Sequence, residues 1–282
     1  MTIEFIETRG PSDASNKAAF RREVVDYWNK RSNTYSSSIK DELGDSHLNA
    51  WSHALLSRIC SCSADAASTS LKVLDLGCGP GFFEIILSRN GYMVDAVDSS
   101  AQMIEQARAN VSLSGNPELV EFHCCDVAEL PFAASHFDVV VSRNVTWLMP
   151  DPLKAYAEWH RVLKPGGKMF VFDANWYSYL VDEQLNQVRL ENQNDTSILK
   201  WDEHSFATSE QESRCEALAM HLPLTYEKRP AWDESVLPSL GFAEVRADER
   251  FSELVWNEGE QAFYATSPLF AIEAQKASSA RI

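Results

Sequence analysis

Apolar positions in this chain fall into two rhythms. Between residues 71 and 172, short apolar runs at Leu71–Leu76, Met93–Val97, Val120–Cys124, Phe137–Val141 and Lys168–Phe172 predict five strands. The nearly unbroken run Phe137–Val141 is the pattern of a strand buried on both faces. Between the strands the spacing becomes helical. Phe82–Asn90 carries Phe83, Ile85, Ile86 and Leu87, a second segment carries Met103, Ile104 and Ala107, and a third carries Ala155, Trp159, Val162 and Leu163. Gly91 stops the first helix. Ser99 with Gln102 reads as a capping box for the second, and Asp151-Pro152 opens the third with proline in its first turn. Lys164-Pro165-Gly166-Gly167 ends it. Strands alternating with helices predict a doubly wound, mostly parallel α/β sheet covered on both faces.

The flanks depart from this alternation. A helix is predicted over Asn16–Lys30, with Phe20, Val24, Tyr27 and Trp28 at helical spacing, then a spacer holding Ser36, Ser37 and Ser38. A second amphipathic helix runs from about Ser46 to Cys60, presenting Leu48, Trp51, Leu55 and Ile59, and 61–70 is a small, polar linker. From Asp173 to Trp232 the stretch is too long for a bare loop. Leu180, Val181, Leu185 and Val188 suggest one helix there and Glu210–Met220 another, read as an inserted cap. A short helix at Asp233–Leu240 and strands at Ala243–Ala247 and Pro268–Ala274 close the chain. The expected division is 1–70 as N-terminal helices and lid, 71–175 as the core, 176–232 as the cap, and 233–282 as the helix and strands completing a seven-stranded sheet.

The densest chemistry lies between the first strand and its helix, in Asp75-Leu76-Gly77-Cys78-Gly79-Pro80-Gly81-Phe82. Glycine suits positions of positive φ or close ligand approach. Such a bend is expected to offer free backbone N–H groups and a helix dipole to an anionic group. One strand further on, Asp98 stands where dinucleotide-type folds hold a ribose. The hydride-transfer fingerprint G-x-G-x-x-G is broken, because Phe82 follows Gly81.

The segment resembles the first motif of class I S-adenosylmethionine (SAM)-dependent methyltransferases, D-x-G-x-G-x-G, and the likeness to the small-molecule enzymes of that class runs through roughly 20–175 and, more weakly, 233–275. The resemblance implies a Rossmann-like fold, SAM as cofactor and S-adenosylhomocysteine as product. It implies that Gly77, Cys78 and Gly79 pack against the methionine portion, that Gly81 belongs to the same cofactor site, that Asp75 holds the ammonium, and that Asp98 takes both ribose hydroxyls. Ser99 and Met103 would flank the adenine, with Asp126 accepting from its amino group and the Val127 N–H meeting the ring; Asp126 as a turn cap is the alternative. Asn144, in Ser142-Arg143-Asn144, would face the sulfonium and the acceptor. Tyr35, at the end of Tyr27-Trp28-Asn29-Lys30-Arg31-Ser32, is either a lid over the cofactor or ordinary packing. The amino-methyltransferase motif N-P-P-Y/F is absent after the fourth strand, which argues against methylation of DNA bases.

Substrate residues are read from position. Trp147, Trp176, Tyr177 and Tyr179 follow the carboxyl ends of strands four and five and could line an acceptor pocket or pack the cap. Arg229 could pair with an acceptor carboxylate. Transfer of an already activated methyl group needs positioning first and a base only where the acceptor must lose a proton. His204, His221 and Tyr177 are candidates for that base.

Composition narrows the partners. The 282 residues hold 25 basic and 41 acidic side chains, a net charge of −16 that repels nucleic acid and anionic lipid. No apolar run reaches membrane-spanning length, and the N-terminus lacks a secretory pattern. Cys60, Cys62, Cys78, Cys124, Cys125 and Cys215 form no C-x-x-C pair. They read as reduced thiols in a cytoplasmic protein without a metal. The expected activity is methyl transfer to a small molecule by a monomer or homodimer. A protein side-chain methyltransferase and a non-catalytic SAM-binding protein remain alternatives.

Overall fold

The computed structural model describes residues 14–62, 69–194 and 207–278. Seven strands form one sheet: β1 (Lys72–Leu76), β2 (Met93–Asp98), β3 (Val120–Cys124), β4 (Phe137–Arg143), β5 (Leu163–Asp173), β6 (Phe242–Asp248) and β7 (Phe270–Lys276). Their order is β3-β2-β1-β4-β5-β7-β6, with β7 antiparallel to both of its neighbours and the remaining pairs parallel. The order reverses between β1 and β4, and ligands of open α/β sheets bind in the crevice beyond the strand ends at that point. The sheet is the Rossmann-like one expected. β5 begins at Leu163, so the Lys164–Gly167 segment belongs to the strand.

Both faces are covered. On one side α2 (Asp45–Cys60) places Trp51 edge-on against Phe82, Phe83, Phe172 and Phe251, with centroids 5.3–5.8 Å apart. Aromatic pairs favour such edge contacts. The other side is filled by Tyr156 and Trp159 of α5 (Pro152–Val162), packed with Phe137, Leu163 and Phe270.

The first helix, α1 (Ala14–Glu42), runs well past Lys30. Ser37 and Ser38 donate their hydroxyls to the carbonyls of Asn33 and Thr34, one turn earlier. Ser36 is buried and accepts from Asn110 Nδ2 at 3.0 Å. Serines that bond back along the helix do not interrupt it, so the expected spacer is helical and carries Tyr35 and Glu42 to the sheet end. The cap of α4 (Ala101–Ser114) also shifts by one residue. Ser100, not Ser99, accepts from the Met103 N–H at 3.1 Å, and its hydroxyl donates to Asn29 Oδ1 of α1 at 2.6 Å.

After β5 come α6 (Glu183–Asn194) and α7 (Ser209–Ala219), the latter opened by a Thr208/Gln211 capping box. Cys215, Leu218 and Ala219 of α7 pack on Phe20, Val24 and Tyr27 of α1 and on Trp147. The short α8 (Ala231–Val236) precedes β6, while α9 (Ser252–Val255) and α10 (Glu258–Phe263) lie between β6 and β7.

Arg229 locks this region to the sheet. Its Nε and Nη2 donate to Asp233 at 2.8 and 2.9 Å, Nη1 to Asp173 at 3.2 Å and Nη2 to the Tyr156 hydroxyl at 3.2 Å. Both ion pairs are buried. Arg229 is therefore not available to an acceptor carboxylate, because its donors are committed inside the protein. Removing one member of a buried ionic group strands the others. Arg229→Met is expected to lower the unfolding free energy by about 3–5 kcal/mol, measured by urea denaturation.

Candidate functional site

The glycine bend is shaped by close approach. Gly77 has φ +73°, and a Cβ there would lie 2.3 Å from Val145 Cγ2. The bend is also saturated. The N–H groups of Gly77 and Cys78 both donate to the Val97 carbonyl, at 2.8 and 2.9 Å, and Gly81 N–H donates to the Cys78 carbonyl at 3.1 Å. Gly79 N–H donates to Asp98 Oδ2 at 2.9 Å, and Pro80 has no N–H. The expected free donors for an anion are thus absent from the bend itself.

Beside it lies a cavity of about 140 Å³. Tyr35, Gly77, Gly79, Asp98, Ser99 and Met103 line it, together with Asp126, Val127 and Asn144. Asp98 is held by N–H donors on both oxygens, from Gly79 and from Ser100 at 2.8 Å. Burial nevertheless pushes its carboxyl up to about 6. Each oxygen keeps a second lone pair for a ligand hydroxyl. Asp126 Oδ1 accepts from the Ala128 N–H at 2.8 Å and Oδ2 pairs with Arg21 at 3.4 Å, so it caps its turn while still facing the cavity.

A second cavity, of about 830 Å³, adjoins the first. The two share Trp28, Tyr35, Arg143 and Asn144. Trp147, Trp176, Tyr177 and Tyr179 line the larger one, with Trp256 and Tyr264 from the segment before β7. Trp256 and Tyr264 stack at 5.0 Å, and Trp176 meets Tyr264 edge-on at 5.7 Å. His47 Nε2 lies 2.7 Å from Glu260 Oε2 in the same wall. The Glu260 hydrogen bond raises the His47 pKa above its ordinary value.

Other expected residues lie elsewhere. Asp75, Cys78 and Gly81 line neither cavity. Asp75 is buried, as is Glu84 of α3 (Phe82–Arg89). Burial raises Asp75 to about 7, and burial together with the neighbouring Asp75 pushes Glu84 well above the usual carboxyl range. Gly81 packs on Ala107, 3.2 Å from where its Cβ would be. His221 is exposed beside Phe20 and lies outside the cavities. His204 falls outside the described residues. Tyr177 donates its hydroxyl to Cys215 Sγ at 3.0 Å, and burial drives its pKa well up, so it holds its proton. Cys215 itself lines the larger cavity.

Sequence reasoning did not single out Trp28, Arg143, His47 or Glu260 as site residues. Arg143 had a visible signal, a charge set immediately after the apolar β4. Its guanidinium pairs with Glu42 and stacks over Trp51 and Phe82 at 4.6 and 4.1 Å. His47 and Glu260 are 213 residues apart, and no local pattern joins them. Asp95, Glu121 and His123 bring ligand-type atoms within 4.8 Å of one another, outside both cavities.

A Rossmann-like sheet with a glycine bend under an acid at the next strand's tip is the arrangement in which nucleotide-binding α/β folds place their ligand. Residues 74–171 match the family model described as a methyltransferase domain. The chain is 35% identical over 105 residues to an arsenite methyltransferase of Halobacterium salinarum, covering 36% of this chain and 26% of that protein. It is 31% identical over 111 residues to a ubiquinone biosynthesis O-methyltransferase of Coxiella burnetii, covering 38% and 46%. It thus spans less than half the length of these relatives. The crystal structure of geranyl diphosphate C-methyltransferase from Streptomyces coelicolor A3(2) superposes with a TM-score of 0.52 at 14% identity, over 80% of this chain and 77% of that one. Residues 74–171 thus match a methyltransferase domain, set within a Rossmann-like sheet.

The carboxyl pair gives stability a pH dependence. Asp75 titrates higher folded, at about 7, than its ordinary 3.8. Between those values the folded state holds the extra proton, so this group's contribution is present at low pH and lost as pH rises towards 7. Asp75→Asn should flatten the fall in unfolding free energy between pH 5 and 7.5, read from urea curves at each pH.

Proposed function

We propose that this chain moves a methyl group from SAM to a small-molecule acceptor by in-line displacement. The acceptor lone pair forms a bond to the methyl carbon as the carbon–sulfur bond breaks, and the sulfonium leaves as neutral S-adenosylhomocysteine. The observation that carries this reading is the junction of two cavities at Trp28, Tyr35, Arg143 and Asn144. The smaller holds the acid expected to take a ribose, and the larger has aromatic walls and the volume of a small-molecule site. The relatives' names, on arsenite and on a ubiquinone precursor pathway, agree with a small acceptor. On this reading Asp98 takes the ribose hydroxyls, Asp126 and Val127 the adenine, and Ser99 and Met103 its faces, while Tyr35 covers the cofactor. Helices α6 and α7 act as the cap, with Trp147 and Trp176 against the acceptor.

Where the acceptor must lose a proton, His47 with Glu260 behind it supports the role of base better than Tyr177. A histidine held by a carboxylate is a fixed, strengthened base. Its neutral form does the work, so the rate should rise with pH through a value above the ordinary 6.5. Incubating the protein with methyl-labelled SAM and fractionated small-molecule extracts identifies the acceptor. With that acceptor, His47→Gln should remove the rising limb of the pH–rate profile while leaving cofactor affinity unchanged.

Isothermal titration should give heat with SAM and none with NADH. Asp98→Ala should cost about 1–3 kcal/mol of SAM binding. The ionised carboxylate accepts both hydroxyls, whereas the protonated form loses an acceptor. SAM affinity should therefore weaken as pH falls through about 6, and Asp98→Asn should abolish that step. Equal affinity of wild type at pH 5 and 7.5 would remove Asp98 from the site.

A further inference from the structure

The larger cavity carries an uneven set of charges. Among the described residues, its wall holds five carboxylates, three guanidinia and no lysine. Each guanidinium already has a partner. Arg143 pairs with Glu42, Arg189 lies 3.6 Å from Glu216, and Arg31 donates to Thr34 Oγ1 at 2.6 Å. Arg229, the arginine expected to receive an acceptor carboxylate, is spent on Asp173 and Asp233. A cleft with an excess of one sign focuses its field on whatever enters. An anionic acceptor would be repelled here, and a cation would be drawn in.

The aromatic part of the wall favours the same sign. Ten aromatic side chains line this cavity, and a ring attracts a cation to its face through its quadrupole. Trp176, Trp256 and Tyr264 form one patch, with the two tryptophan centroids 6.4 Å apart and each within 5.7 Å of Tyr264. Glu260 adjoins it, since the Tyr264 N–H donates to the Glu260 carbonyl at 2.9 Å, and its carboxylate lies 2.7 Å from His47 Nε2. Aromatic surface, a carboxylate and a base thus meet in one stretch of wall.

From this wall we infer that the acceptor is an organic amine with an apolar, ring-sized body, held as an ammonium ion and methylated on nitrogen. The assignment rests on the methyl-transfer reading above and names its substrate class. An ammonium has no lone pair, so one proton must leave first. His47 Nδ1, the ring nitrogen that Glu260 does not engage, takes it and passes it to water. The freed nitrogen lone pair bonds to the methyl carbon as the carbon–sulfur bond breaks, and the bonding electrons stay on sulfur. The products are the N-methylated ammonium and neutral S-adenosylhomocysteine.

The test uses the full chain saturated with S-adenosylhomocysteine and three probes that share an indole ring. Tryptamine, tryptophol and indole-3-acetate end in an ammonium, a hydroxyl and a carboxylate. Calorimetry should rank them in that order, tryptamine ahead of tryptophol by roughly tenfold, the size of a desolvated cation–π contact. Glu260→Gln keeps an oxygen for the Asn257 N–H and should reduce that ratio to roughly a third. Tyr264→Leu should lower it as well, and both variants should keep the wild-type affinity for S-adenosylhomocysteine. Glu253→Gln removes the same charge from an exposed site outside the cavity. It should leave the ratio as in wild type, which separates the wall from the net charge of −16. Equal affinities, a preference for tryptophol or indole-3-acetate, no binding of any probe, or a ratio unmoved by either cavity variant would overturn the amine assignment. A wild type that does not bind S-adenosylhomocysteine would overturn the cofactor reading itself.

Discussion

The buried carboxylate of Asp173 is the constraint on which the site's architecture depends. It sits at the carboxyl end of β5, fully removed from solvent. An ion there is tolerable only when its lone pairs are taken. Thr146 Oγ1 and the Trp147 N–H donate to one oxygen, and the Ala174 N–H and Trp176 Nε1 to the other. Arg229 neutralises its charge. Because Trp147 and Trp176 are both tied to the same carboxylate, the two aromatic walls of the larger cavity are set by one group. Arg229 and Asp233 carry the tie onward to Tyr156 under the sheet. The acceptor cavity is thus built on an ionic cluster whose cost of burial is offset only when every member is present.

The core was legible because its signals are local. Five apolar runs, the glycine bend and Asp98 lie between residues 71 and 172, and each follows from strand burial or turn geometry at its own position. The misreadings have physical causes too. Ser36–Ser38 read as a spacer because serine's preference for non-helical backbone is visible in sequence, whereas its bond back to a carbonyl one turn earlier is not. Ser99 and Ser100 are chemically identical, and only the Asn29 contact from a distant helix distinguishes the cap. Arg229 read as an acceptor ligand because Asp173, its partner 56 residues away, carried no mark of pairing.

A similar limit applies to the site. Asp75 and Glu84 lie nine positions apart, and whether an acid at a strand end meets a ligand ammonium or another acid depends on how α3 returns over β1. That return also decides how the glycine bend is used. Its amides close onto Val97 and Asp98, so the bend acts as a close-packed floor.

For the proposed transfer this packing has a mechanistic consequence. The sulfonium loses its charge as the methyl leaves, so the reaction gains little from groups that stabilise new charge. It gains from alignment of the carbon–sulfur bond with the acceptor lone pair. A cofactor held only at its ribose could swing its methyl group through a wide arc. With the nucleoside on the Asp98 side, the methyl group has to be aimed across the junction lined by Trp28, Tyr35, Arg143 and Asn144. Those residues line both cavities, so the packing at the junction bears on where the acceptor meets the methyl group. α1 is then part of the reacting geometry, because the same helix supplies both Trp28 and Tyr35 to the shared wall.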